Sequence, residues 1–174
     1  MTFVVDSSVA LTWCFEDEAT PTADALLVRL TKDGAHAPSL WPMEVLNALL
    51  MAQRRGRITP EARQDRIAFL HALPITLDTE TAAQAWTTTN RLAERYDLTL
   101  YDAAYLELAQ RLGLPLATLD TDLRKAANAV GVPLLGAPDT GNVVLSAKPA
   151  SLQEFFELVD QTEIPSDFMA DRED

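Results

Sequence analysis

Cysteine is nearly absent from this chain: Cys14 is the only one in 174 residues. That excludes an internal disulfide and a thiolate metal cluster. Histidine is almost as scarce, with only His36 and His71. Neither stands beside an obvious nucleophile, so a Ser-His-Asp arrangement is not expected. The 6 glycines do not fall at dinucleotide or Walker spacing, so no glycine-rich phosphate loop is expected. No apolar stretch approaches the roughly 20 residues of a membrane span. No basic region precedes the short apolar run that Asp6 interrupts, so a signal peptide is not expected and a cytoplasmic protein is the simplest reading. Positive charge is short as well. Against 26 Asp+Glu stand 14 Lys+Arg, a net charge of −12. Bulk binding of nucleic acid needs a surplus of cations. The densest cationic cluster is Arg54, Arg55, Arg57, Arg63 and Arg66, which reads equally as a solvated helix pair.

What the chain does have is an apolar fraction of 48%, enough for one core of ordinary domain size. Short apolar runs alternate with helical periodicity. Strands are expected at Thr2–Asp6, Ala35–Ala37, Leu73–Leu77, Leu116–Leu119 and Val132–Leu135. Helices are expected after Ser7 or Ser8 and over Thr20–Lys32, Trp41–Arg55, from Thr59-Pro60-Glu61 onward, Thr79–Arg95, Leu100–Leu112 and Asp122–Val130. This alternation predicts an α/β fold of three layers, α/β/α, around a central, mostly parallel sheet.

Four carboxylates sit where an apolar run gives way to a turn or a helix start: Asp6, Glu44, Asp102 and Asp120. Acids at the carboxyl ends of parallel strands point into the crevice where open α/β sheets carry their chemistry. Each alone has an ordinary explanation as a cap or a first-turn anion. Together they would repel: two like charges about 4 Å apart cost roughly 4 kcal/mol at an effective dielectric of 20. A hard cation such as Mg²⁺ or Mn²⁺ removes that cost with oxygen ligands. An all-oxygen site without an essential histidine points to metal-assisted attack of water on a phosphodiester. A phospho-receiver domain would want paired acids after the first strand and a late lysine, and neither is evident.

The segments Val4-Val5-Asp6-Ser7-Ser8, Pro42-Met43-Glu44-Val45-Leu46-Asn47-Ala48, Leu100-Tyr101-Asp102-Ala103-Ala104-Tyr105 and Ala117-Thr118-Leu119-Asp120 resemble the four motifs of PIN-domain nucleases, in particular VapC-type toxins of toxin–antitoxin pairs. The likeness covers about residues 1–136. It implies that Asp6, Glu44, Asp102 and Asp120 bind Mg²⁺ or Mn²⁺ and cut RNA, often tRNA, and that the protein is a homodimer. Asp122 stands two residues after Asp120 as its substitute or assistant. Ser8, Asn47 and Thr118 match polar positions that hold the acids, with capping or turn formation as their other role. Tyr101 and Tyr105 read as helix core, with stacking on bases as the alternative. A DNA-cutting relative and a catalytically silent binding module remain the rival readings.

Beyond the turn-rich Ala137-Pro138-Asp139-Thr140-Gly141 the chain changes character. Residues 1–138 hold 12 Lys+Arg against 17 Asp+Glu; residues 139–174 hold 2 against 9. A strand over Asn142–Pro149, a capping box at Ser151-Leu152-Gln153-Glu154 opening a helix, and an extended end are expected. This stretch resembles the toxin-binding end of a VapB-type antitoxin. The resemblance implies an inhibitory tail fused in cis, with Phe155, Phe156 and Phe168 as anchors. Arg172 would then bridge the site's carboxylates.

Overall fold

The computed structural model describes residues 1–136. The expected strand, helix and extended end beyond residue 138, with Phe155, Phe156, Phe168 and Arg172, lie outside the described residues.

Five parallel strands form one sheet in the order β3-β2-β1-β4-β5: β1 Val4–Val5, β2 Ala35–Pro38, β3 Ile75–Asp78, β4 Leu116–Ala117 and β5 Leu134–Leu135. Val4 pairs with His36 on one side and Leu116 on the other. β1, β3, β4 and β5 are shorter than the expected runs, whereas β2 extends one residue further, to Pro38. Successive strand residues point to opposite faces. Accordingly Val4 and Leu116 join one buried cluster with Val45 and Leu49 of α3 (Trp41–Arg54), Tyr105 and Leu108 of α7 (Leu100–Leu112) and Leu123 of α8 (Thr121–Val130). Phe3, Val5, Ala35 and Ala117 join a second cluster with Leu26 and Leu30 of α2 (Pro21–Asp33). Helices therefore cover both faces, which is the three-layer α/β/α arrangement. Each fully buried Leu or Val contributes about 1.5–3 kcal/mol of burial.

The helix ends follow from local chemistry. Thr20 and Thr59 accept from backbone N–H groups three residues on, ahead of Pro21 and Pro60 at the first helical positions of α2 and α4 (Pro60–Ala72). Gly113 ends α7 at φ 63, a left-handed conformation that glycine takes without strain. Two expectations change. The single helix over Thr79–Arg95 is divided into α5 (Thr81–Gln84), a π-helical turn Ala85–Thr89 and α6 (Asn90–Tyr96). The helix after β1, α1 (Ser7–Thr12), is capped at Asp6 rather than at Ser7 or Ser8. It stops before Phe15, and a 3₁₀ turn at Glu16–Glu18 follows.

The arginine cluster is partly structural. Arg57 lies 3.9 Å over the Phe15 ring and pairs with Asp17 and Glu18, each at 2.8 Å. Arg66 donates to the Cys14 carbonyl at 2.6 Å. Cys14 is buried, and burial pushes its thiol from 9.0 to about 11. The neutral thiol is therefore favoured by the fold. That contribution is complete below pH 9 and is lost between pH 9 and about 11, where the unfolded chain ionises first. Two results follow. A thiol reagent at pH 8 labels the folded protein slowly and the urea-unfolded protein at once. The urea midpoint falls from pH 9 to 11 in the wild type, and less so in Cys14→Ala.

Among the described residues, no helix is long and apolar enough to cross a membrane.

Candidate active site

The strand order turns back at β1: β2 and β3 lie to one side, β4 and β5 to the other. The carboxyl ends of β1 and β4 therefore flank the crevice where such sheets bind ligands. Asp6 follows β1 directly and is fully buried, at 0% exposure. It accepts from Ser8 Oγ at 2.6 Å, from Thr118 Oγ1 at 2.7 Å and from Ser7 Oγ at 3.2 Å. Hydroxyls from two separate strand ends thus fix one carboxylate. The same hydroxyls shape the loop after β4. The Leu119 N–H donates to Ser8 Oγ at 3.1 Å and the Asp120 N–H to Thr118 Oγ1 at 3.0 Å. Arg124 Nη1 donates to the Thr118 carbonyl at 2.8 Å, which anchors that loop to α8.

Glu44 lies half-buried in the first turn of α3. Its Oε2 accepts a short hydrogen bond from the Tyr105 hydroxyl of α7. Tyr105 is fully buried. Burial raises its phenol well above the ordinary value, and the charges of Glu44 and Asp6 push the same way. Tyr105 therefore keeps its proton and remains a donor. Asp102, one turn earlier on α7, is buried and accepts from Thr99 Oγ1 at 2.6 Å; its own N–H donates to Thr99 Oγ1 at 3.0 Å. This reciprocal cap fixes both the helix start and the carboxylate.

Asp120 is half-buried at the N-cap of α8, where its Oδ1 accepts from the Leu123 N–H at 2.7 Å. Asp122 is not brought to this group. Its side chain is 70% exposed and lies 2.8 Å from Lys125 Nζ, three residues on. Of the polar positions expected to hold the acids, Ser8 and Thr118 both bond Asp6, whereas Asn47 is exposed one turn after Glu44 on α3. Tyr105 is core, as expected, but Tyr101 is 46% exposed. Ser7, Thr99 and the Tyr105 hydroxyl are site groups that sequence reasoning passed over. A Thr three residues before Asp102 was a readable cap signal. Nothing local marks the reach of Tyr105 to Glu44.

In donor chemistry the group suits a hard divalent cation: carboxylate oxygens, oriented by hydroxyls, with Asp6 and Asp102 buried. In geometry, no three His, Cys, Asp or Glu side chains among the described residues are grouped closely enough to hold a metal ion. What the structure brings together is Asp6 and Glu44 around one phenol, Asp102 a turn away on the same helix, and Asp120 at the rim.

The family model described as PIN domain matches residues 3–129. The chain is 35% identical over 136 residues to Ribonuclease VapC3 of Mycobacterium tuberculosis, covering 74% of this chain and 91% of that protein. It is 28% identical over 133 residues to Ribonuclease VapC3 of Pyrobaculum aerophilum, covering 76% and 100%. Two solved structures share the fold. PAE2754 from Pyrobaculum aerophilum has a TM-score of 0.55 at 23% identity, over 72% of this chain and 84% of its own. FitAcB from Neisseria gonorrhoeae has a TM-score of 0.56 at 16% identity, over 78% and 97%.

Proposed function

The chain belongs to the PIN-domain family, and from that premise we propose that it is an endoribonuclease toxin whose acidic centre is Asp6, Glu44, Asp102 and Asp120. The observation that carries the reading is Asp6: a carboxylate at 0% exposure, at the sheet's switch point, bonded by Ser7, Ser8 and Thr118. Burial of a carboxylate costs several kcal/mol, so this arrangement has a use beyond packing. The 35% identity to a protein named as a ribonuclease, with 91% of it spanned, supports the substrate class.

Asp6, Glu44 and Asp102 would hold Mg²⁺ or Mn²⁺ only once their side chains close in on the ion, since no three acids among the described residues stand close enough as placed, with Asp120 assisting. When bound, such an ion supplies a Lewis acid for the phosphoryl oxygens and activates a water at neutral pH. The chain's own groups prepare that chemistry. Ser7, Ser8 and Thr118 hold Asp6 in one orientation, and Thr99 does the same for Asp102. Asp120 stays at the α8 terminus, where the capping bond to the Leu123 N–H keeps its side chain at the rim.

The substrate is single-stranded or looped RNA, tRNA among its forms. The protein acts as a homodimer in the cytoplasm and is countered by a VapB-type antitoxin. The acidic tail carries that antitoxin's toxin-binding segment in cis, with Phe155, Phe156 and Phe168 as anchors and Arg172 facing the carboxylates. A tether of this kind raises the inhibitor's effective concentration to about millimolar.

One experiment tests both parts. The 1–138 fragment, which keeps all five strands and both helix layers, cleaves RNA in Mg²⁺ or Mn²⁺ and stops on chelation. Full-length protein cleaves about 10²-fold more slowly, as avidity of that order predicts, and Arg172→Ala restores much of the rate. A fragment that leaves RNA intact defeats the nuclease reading. Equal rates for fragment and full chain defeat the tail's inhibitory role alone.

A further inference from the structure

We propose that Tyr105 is a positioning residue for the acidic centre: its hydroxyl, reaching across from α7, holds the Glu44 carboxylate in the site. The inference rests on the nuclease reading above. Packing alone would be met by a phenylalanine. Tyr105 sits at 0% exposure within the cluster around β1, α3 and α7, and a ring of that size fills the space with or without oxygen. A hydroxyl at such depth is costly unless hydrogen-bonded. Here it is hydrogen-bonded to the site: it donates to Glu44 Oε2.

That bond has one direction. A phenol has a single proton to donate, and in Tyr105 that proton points to Glu44. Glu44 itself springs from the first turn of α3, at the half-buried edge of the core. Its side chain has three rotatable bonds, and α7 supplies the restraint from across the site. The same helix carries Asp102 three residues earlier. Thus α7 contributes one acid and orients a second. Loss of an outer partner of a metal-ligating carboxylate typically costs 10–100-fold in metal affinity or activity.

The test uses the full-length chain carrying Arg172→Ala, so that the proposed tail does not occupy the site, and five variants in that background: Tyr105→Phe, Glu44→Gln, Glu44→Asp, the double Tyr105→Phe/Glu44→Gln, and Asp6→Asn. Mn²⁺ binding is measured by calorimetry, RNA cleavage by kcat and KM, and folding by circular dichroism. Tyr105→Phe is expected to weaken Mn²⁺ binding about tenfold and to lower kcat more than it raises KM. In the Glu44→Gln background the same change has little further effect, because the group it acts on is already altered. Glu44→Asp, which keeps the charge but withdraws it from the Tyr105 hydroxyl, is expected to shift Mn²⁺ affinity the same way, and it carries the test if Tyr105→Phe folds poorly. Mn²⁺ affinity in Tyr105→Phe within twofold of the parent chain, with Asp6→Asn still abolishing binding, overturns the positioning role alone. So does an undiminished effect in the Glu44→Gln background, which would assign the loss to packing. An Arg172→Ala parent chain that neither binds Mn²⁺ nor cuts RNA overturns this inference together with the nuclease reading.

Discussion

Asp6→Asn lowers RNA cleavage by the 1–138 fragment on the order of 10³-fold. The reasoning starts from charge. A metal-held reaction centre supplies several kcal/mol of transition-state stabilisation, and each 1.36 kcal/mol is a factor of ten in rate. Exchanging the deepest carboxylate for a neutral amide removes the anion but keeps the shape. The surroundings tolerate the exchange. Ser7, Ser8 and Thr118 now donate to the two Asp6 oxygens. An amide has one oxygen and one NH₂, and a hydroxyl facing the NH₂ rotates to accept instead of donate. The thermal midpoint therefore moves by a few degrees at most while activity collapses. Measuring both on one sample separates chemistry from folding. Cleavage by Asp6→Asn at the wild-type rate would remove Asp6 from the centre of the mechanism.

Arg111→Ala destabilises the protein by about 3 kcal/mol, the cost of stranding a buried charge, and lowers the melting temperature by about 10 °C for a domain of this size. Glu107 is only 3% exposed on α7. Arg111, one turn on, reaches it at 2.7 and 3.2 Å and reaches Asp78 at the end of β3 at 2.9 Å. Asp78 also accepts from Thr81 Oγ1 at 2.8 Å, and Thr81 in turn accepts from the Ser39 N–H at 3.0 Å. One guanidinium therefore ties α7 to the end of β3 and, through it, to the start of α5 and the loop after β2. Removing it leaves Glu107 as an uncompensated charge in the interior. The double replacement Glu107→Leu/Arg111→Leu is expected to be far milder than Arg111→Ala, because both the charge and its partner go together. Denaturant midpoints of the two variants check this. A double variant as unstable as Arg111→Ala would show that packing at these positions, not charge, sets the cost.

The sequence announced some parts of this molecule and concealed others, for physical reasons. Helices α2, α3 and α7 and the start of α4 were legible within about a residue, because Thr20-Pro21, Thr59-Pro60, Gly34, Gly56 and Gly113 punctuate them. The π-helical turn at Ala85–Thr89 was not legible. A shift of hydrogen-bond register leaves no mark in composition, and Thr79–Arg95 keeps an unbroken helical pattern. Strand runs were visible but their paired lengths were not, since pairing depends on neighbours far away in sequence. Asp6, Glu44 and Asp102 could be picked out because each is an acid set in apolar surroundings. Asp120 and Asp122 could not be told apart by spacing alone: one caps α8, and the other turns to Lys125 in solvent. Tyr105 and Glu107 were opaque for a shared reason. Both lie on a helix buried over eight successive residues, Asp102 to Ala109. There, polar side chains are interpreted only once the facing elements are placed.

The threonine that steadies Asp6 lies 112 positions further along the polypeptide, and β4 pairs directly with the strand that Asp6 follows. Synthesis proceeds at about 5–20 residues per second, so Asp6 leaves the ribosome roughly 6 to 20 seconds ahead of the hydroxyl that completes its setting. For a cell making the proposed ribonuclease beside its own translating messages, that order of events is protective. Products terminated before β4 lack the hydroxyl that holds Asp6.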